Sequence, residues 1–184
     1  MADLKGKKIA VLVSSGVQDV ELTKPVEILR DRGAEVTVIV PTEEELKQGI
    51  KTLRGSVEKA DASLSEVNAY DFDALYIPGG ASPDHLRMAE GAVDFVKAFA
   101  DRPIFALCHG PQLLVSAGLV KGRTITSWPS LEVDLENAGA HWVDQEVVQD
   151  GNIITSRKPD DIPAFTRRIE QYLTSVEVRR RKAA

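Results

Sequence analysis

Short apolar runs recur along the chain, closed by glycine, proline or serine. Ile9 to Val13 follows Lys7-Lys8 as an unbroken apolar stretch, the pattern of a parallel strand buried on both faces. Ser14-Ser15-Gly16 ends it. The spacing of Val26 and Leu29 predicts a helix from about Val20 to Arg32, closed by Gly33, and Val36 to Val40 reads as a second strand. A β-α-β opening argues for a parallel sheet covered by helices. Ala74 to Ile77 is a third core strand and runs into Pro78-Gly79-Gly80 and Ser82-Pro83-Asp84. A helix from Ala89 to Ala100 follows, with Val93, Phe95, Val96 and Phe99 as its apolar positions.

Ile104 to Leu107 is the next buried strand. Cys108 ends it, His109-Gly110 turns, and Pro111 suits the first turn of a helix that closes at Gly118. Thr124 to Ser127 reads as a strand and Leu131 to Ala138 as a helix. Trp142 to Val148 and Asn152 to Thr155 form a hairpin about Asp150-Gly151. Ile162 to Leu173 is the last helix. Residues 41 to 70 are less regular. Glu43-Glu44-Glu45 is a solvated loop or short helix, Gly49 to Asp61 is a small strand pair at the sheet edge with Gly55 at its turn, and Ser63 to Val67 is a turn of helix. The sum is one α/β domain over 1–184, a flavodoxin-like three-layer sandwich with a mostly parallel central sheet. Its core is 8–173 and a basic tail occupies 174–184.

Composition narrows the class. The chain has 184 residues, 43% hydrophobic and 28% charged, with a net charge of −5, so the overall balance gives no reason to expect a nucleic-acid partner. Arg179-Arg180-Arg181-Lys182 is the one basic run and reads as a solvated tail. A single cysteine excludes an internal disulfide and fits a reducing compartment. No apolar stretch has signal-peptide or membrane-span length. A cytoplasmic protein is expected.

The chemistry centres on Cys108. A strand that breaks sharply into a helix lifts one side chain above the sheet, as in a nucleophile elbow. A sulfur at a helix N-terminus lies near unpaired N–H groups, which favour thiolate; the bland alternative is a buried structural cysteine. Ligands of such sheets bind at the carboxyl ends of the strands. Three loops meet there, carrying Gly16 to Glu21, Pro78-Gly79-Gly80 and Cys108-His109. Glu21 is placed to donate to the thiolate when protonated, to raise the thiol pKa when ionised, or simply to complement its own helix N-terminus. The N–H groups of Gly79, Gly80 and His109 are candidate oxyanion donors, and the glycines are also a plain tight loop. His109 as a base needs an orienting acceptor. Asp84 is the candidate, from the same subunit or a neighbour, while His85 and His141 are less well placed. No zinc spacing, Gly-x-Gly-x-x-Gly or Walker loop occurs, so no metal and no cofactor are expected.

With these residues assembled, the chain resembles the PfpI family of the class I glutamine amidotransferase-like superfamily. The stretches that carry the resemblance include Asp19-Val20-Glu21-Leu22, Pro78-Gly79-Gly80-x-x-Pro83-Asp84, Cys108-His109-Gly110-Pro111-Gln112, Thr126-Ser127-Trp128-Pro129-Ser130 and Ser156-Arg157-x-Pro159-x-Asp161. The resemblance implies Cys108 as nucleophile, Glu21 as the carboxyl bonded to it, and Gly80 and His109 as the oxyanion site. Asp84 would act as the carboxylate that pairs with a neighbour's histidine, a place usually held by glutamate. Gln18 stands where many members carry a second acid, so the pocket that it shares with Trp128 should be less acidic. The implied activities are peptide hydrolysis, deglycation of proteins and glyoxalase III-like conversion of methylglyoxal to lactate. The expected substrates are therefore small carbonyls, glycated proteins or peptides, with no membrane and no specific nucleic acid. The expected partner is the chain itself, as a homodimer by default or a hexamer. The alternative is a redox-sensing stress or chaperone protein that uses an oxidisable Cys108. A glutamine-amidotransferase domain needs a late His-x-Glu, and only His141-Trp142-Val143 is available.

Overall fold

A computed structural model describes residues 3–176; the basic run at 179–182 lies outside them. Along the chain, β1 (Lys8–Leu12), α1 (Asp19–Asp31) and β2 (Glu35–Val40) give the expected β-α-β opening. α2 (Glu43–Gln48), β3 (Ile50–Lys51), β4 (Val57–Glu58) and β5 (Ala62–Ser63) follow. β6 (Ala74–Ile77), α3 (Ser82–Met88), α4 (Ala92–Lys97), β7 (Ile104–Leu107) and α5 (Pro111–Ser116) form the middle. β8 (Thr124–Ile125), α6 (Glu132–Asn137), β9 (His141–Trp142), β10 (Val147–Asp150), β11 (Ile153–Ser156) and α7 (Ile162–Ser175) complete the described chain.

The central sheet has seven strands in the order β10-β11-β7-β6-β1-β2-β5, parallel except for β10 against β11. Successive residues of each strand face opposite layers. Ile9, Val11, Tyr76, Phe105 and Ile154 pack with Leu22, Val26 and Leu29 of α1 and Phe165, Ile169 and Leu173 of α7. Ala10, Leu12, Leu75, Ile77 and Ala106 pack on the other face with Leu86, Phe95, Phe99, Leu113 and Leu114. Burial on both faces is why these strands read as unbroken apolar runs. This is the three-layer, flavodoxin-like arrangement.

Some elements depart from the sequence pattern. Ser82-Pro83-Asp84 reads as loop, yet Pro83 sits in the first turn of α3, where its missing N–H is tolerated. Gly91, at φ +77°, then separates α3 from a helix shorter than Ala89–Ala100. The β3–β4 hairpin is a ribbon of its own, and the true sheet edge is β5. Trp142–Val148 is not one strand: Trp142 pairs with Ile125 in a second small sheet, as does the Thr124 end of the expected Thr124–Ser127 strand. Val147 starts β10, which closes the hairpin about Gly151.

Arg102 ties the lower edge of this sheet together. It is 3% exposed, and its guanidinium donates to the carbonyls of Ala69, Phe72 and Ala98 at 2.6–2.8 Å. It also lies 3.9 Å from the ring centre of Phe99. Arg102→Met should strip those carbonyls of a buried donor and cost about 3 kcal/mol, measured by urea unfolding. Because these bonds lie at the opposite end of the strands, the reactivity of the folded Cys108 thiol should stay within about twofold of wild type.

Candidate active site

Strands β1, β6 and β7 are neighbours, so the loops after them converge although they are far apart in sequence. Cys108 follows β7 with φ +61°, the one positive-φ residue other than glycine among the described residues. Such a conformation costs roughly 1–3 kcal/mol for a residue with a Cβ. Hydrogen bonds hold it: Cys108 N–H donates to Ser156 O at 3.0 Å, and Trp128 N–H donates to Cys108 O at 2.9 Å.

Glu21 faces the sulfur from the first turn of α1 and is fully buried. Its Oε2 accepts from the N–H of Gly79 at 2.8 Å, while Oε1 is buried without a regular hydrogen bond. Behind it, the Tyr76 hydroxyl donates to the Glu21 main-chain carbonyl at 2.5 Å. Gly79 is where the groups meet. A Cβ there would lie 2.6 Å from Glu21 Oε2, 2.7 Å from Cys108 Cβ and 2.9 Å from His109 N. The Gly79 N–H, an oxyanion candidate by its place in the sequence, is committed to Glu21 instead. The N–H groups of Gly80 and His109 are the ones that reach the sulfur.

Burial raises the Glu21 carboxyl to about 7, against the weaker pull of its contacts with Cys108 and Gly79. Burial likewise pushes the Cys108 thiol up, and the charge of Glu21 pushes it further. The Gly80 and His109 N–H groups oppose this only in part. The N–H groups of Gly80 and His109 thus favour thiolate, as the helix start suggests, while desolvation and an ionised Glu21 oppose it. The two groups compete for one proton, which sits on sulfur when Glu21 is ionised.

His109 turns back toward the sulfur, with Nδ1 3.4 Å from Sγ. Burial lowers its pKa. Its ring stacks on Trp128 at 6.3 Å between centres, and Nε2 is 3.5 Å from Ser130 Oγ. No bond joins it to Asp84 within the chain. Asp84 is exposed on α3, and His85 is turned to the main-chain oxygen of Ser15 at 2.9 Å. His141 is exposed on β9, away from the sulfur.

A cavity of about 320 Å³ opens above the sulfur, lined by Gln18, Glu21, Gly80, Cys108, His109 and Trp128, with Leu53 and Pro159 at its rim. Larger grooves of about 440 and 480 Å³ lie beside α1 and α7, but neither reaches the cysteine. Pro159 belongs to a stretch that carries the family resemblance but has no role of its own there, and Leu53 carries no chemical signal in the sequence; the approach of their loops places both at the cavity. Among the described residues, no group of three or more His, Cys, Asp or Glu is arranged to hold a metal, and no helix is long and apolar enough to cross a membrane.

A cysteine elbow with a buried glutamate beside it agrees with the family comparison, in which residues 7–171 match the model described as the DJ-1/PfpI family. The chain belongs to the DJ-1/PfpI family. It is 50% identical to General stress protein 18 of Bacillus subtilis, covering 88% of this chain and 95% of that one. It is 45% identical to Protein/nucleic acid deglycase 2 of Escherichia coli, covering 88% and 94%. Among solved structures, a two-domain protein of Anabaena variabilis with DJ-1/ThiJ/PfpI-like and ferritin-like domains superposes with a TM-score of 0.87 at 35% identity. That match covers 96% of this chain and 53% of the Anabaena chain, so this chain spans about half of that protein's length.

The buried Glu21 makes stability depend on pH. A carboxyl held at about 7 when folded and near 4.5 when unfolded keeps a proton in the folded state that the unfolded chain releases. Its contribution is complete below about pH 4.5 and is lost as pH rises through about 7. The loss should amount to about 3 kcal/mol. Urea titrations across that window should show the decline, and Glu21→Gln should flatten it.

Proposed function

We propose that this chain is a stress-protective, cysteine-dependent hydrolase or lyase that acts through Cys108 on methylglyoxal-type carbonyls, glycated proteins or peptides. The observation that carries this reading is Cys108 at φ +61° beside a Glu21 whose carboxyl is raised to about 7. Near neutral pH such a carboxyl is divided between both forms, so it can take a proton from the thiol and return it. Family membership supports a cysteine enzyme, and relatives named as a deglycase and a stress protein support the direction of the chemistry.

In the proposed step the thiol sulfur bonds to the carbonyl carbon, the C=O π pair moves to oxygen, and the thiol proton passes through Glu21 to that oxygen. The result is a hemithioacetal. The N–H groups of Gly80 and His109 steady the developing charge. With methylglyoxal, His109 or Glu21 moves the proton of the former aldehyde carbon to the adjacent carbon, and the hydroxyl proton passes from the first oxygen to the former ketone oxygen, which gives a lactoyl thioester. Water then cleaves the C–S bond, releases lactate and restores the thiol. The sum is one water added, with no outside oxidant. His109, kept neutral by burial, is suited to carry protons between these positions.

Asp84 belongs to this proposal as a carboxylate offered to His109 of a second copy, since it lies on α3 with no bond to its own His109. A homodimer is the expected assembly and a hexamer the alternative. The redox reading is favoured by the same surroundings of the sulfur. Two successive peroxides would oxidise the thiol to a sulfinate, releasing water, and a protonated Glu21 would donate to it.

Methylglyoxal loss with lactate formation should fall about 10²-fold or more in Cys108→Ala, and by about 10-fold or more in Glu21→Gln. A fluorogenic peptide run in parallel separates the peptidase form. Activity on neither, together with a stable gain of two oxygens at Cys108 after mild peroxide, would replace the enzyme reading with the redox one.

A further inference from the structure

The rim of the Cys108 cavity is apolar and is held in place by a residue outside the cavity. Leu53 is 57% exposed and Trp128 39%; both border the cavity together with Pro159. No Lys or Arg lines it, and the nearby Arg157 is committed to Asp161 and Asp144 at 2.8 Å each. Inside, Glu21 is the one acidic side chain on the wall and His109 is the one ring that can accept a proton. A substrate carboxylate would find no cation there and an acid opposite it.

Leu53 lies between β3 and β4, a ribbon with no place in the main sheet. Its position over the site comes from Asp19. That carboxylate accepts from the Thr52 hydroxyl at 2.7 Å, the Arg54 N–H at 3.1 Å and the Ser56 hydroxyl at 3.4 Å. Burial opposes the charge on Asp19, but these bonds together hold its carboxyl below the ordinary range. The main chain joins in, with Leu53 N–H donating to Val17 O at 2.9 Å. Asp19 thus fastens both flanks of Leu53 to the start of α1, two residues before Glu21.

We propose that Leu53, held by Asp19, is a specificity determinant that fits the Cys108 site to α-oxoaldehydes carrying an uncharged apolar or aromatic substituent. The carbonyl end reaches the sulfur while the substituent lies between Leu53, Trp128 and Pro159. Asp19 is a positioning residue: it does not line the cavity and acts through Leu53. The inference rests on Cys108 as the reacting group, but its first test does not require turnover.

Cys108 is the chain's only cysteine, so its alkylation can be followed without ambiguity. Rates are measured with N-phenylmaleimide and N-methylmaleimide, and their ratio cancels any change in thiol ionisation. Leu53→Ser should lower the phenyl-to-methyl ratio about fivefold, because the phenyl ring then has less apolar surface to cover. Asp19→Ala should lower it similarly. The double variant should lower it no further, which a merely structural role for Asp19 would not produce. Leu53 is exposed, so Leu53→Ser should melt like wild type. The same enzymes are then given phenylglyoxal and methylglyoxal, and the ratio of kcat/KM should shift in the same sense. A labelling ratio that falls while wild type is inactive on both glyoxals would sustain the apolar site but overturn its assignment to α-oxoaldehydes. An unchanged labelling ratio in Leu53→Ser would overturn the inference, whatever the turnover. Additive losses in the double variant would overturn the role of Asp19.

Discussion

The site depends on a close approach that only glycine permits. At Gly79 the carboxyl of Glu21, the Cβ of Cys108 and the N–H of His109 come so near that any side chain would displace at least one of them. This closeness sets the electrostatics. A carboxyl and a thiol are both taken from water and set against each other, with Gly79 N–H as the single firm donor to the carboxyl. Neither group can hold its ordinary charge under those conditions. What results is a pair in which each member is protonated more readily than usual and both compete for the same proton, at a point where strained backbone fixes the direction of the sulfur.

The sheet supplies the rigidity this arrangement needs. β1, β6 and β7 are buried on both faces and adjacent, so the loops after them cannot drift independently. Gly110 shows the same economy of space: a Cβ there would fall 2.6 Å from the main-chain oxygen of Ile77. α5 can therefore start close under the neighbouring strand, and the turn before it is forced to be tight. Strain at Cys108 is sustained by the hydrogen bonds of Ser156 and Trp128 to its two peptide groups, which reach it from β11 and from the segment after β8.

Much of this is legible in the sequence where structure follows from nearest neighbours. Ile9–Val13, Ala74–Ile77 and Ile104–Leu107 announce buried parallel strands, and strand-Cys-His-Gly-Pro announces the elbow. Cys108, Glu21, Gly80, His109, Gln18 and Trp128 do gather at one cavity. The differences have physical causes. α3 is hidden because Pro83 breaks most helices but is harmless in a first turn. The helix start beside Cys108 is visible in sequence, whereas the desolvation that opposes its charge is not. Gly79 looks like an oxyanion donor because its N–H has no visible partner until Glu21 folds over it. Leu53 and Asp19 do not stand out as site residues because their roles arise from a hairpin clamped across 33 residues by hydrogen bonds, which no local pattern records.

The buried, carboxylate-flanked thiol also bears on the life of the chain before it is folded. In the unfolded chain Cys108 is a solvated thiol with an ordinary pKa and no neighbour, open to any electrophile in its surroundings. Folding withdraws it from water and leaves one shaped approach, so the native structure shields the residue that it also aims. The groups that achieve this come from three distant parts of the sequence and meet only once β1, β6 and β7 are side by side. The chain is thus most vulnerable to indiscriminate alkylation or oxidation during synthesis and transient opening.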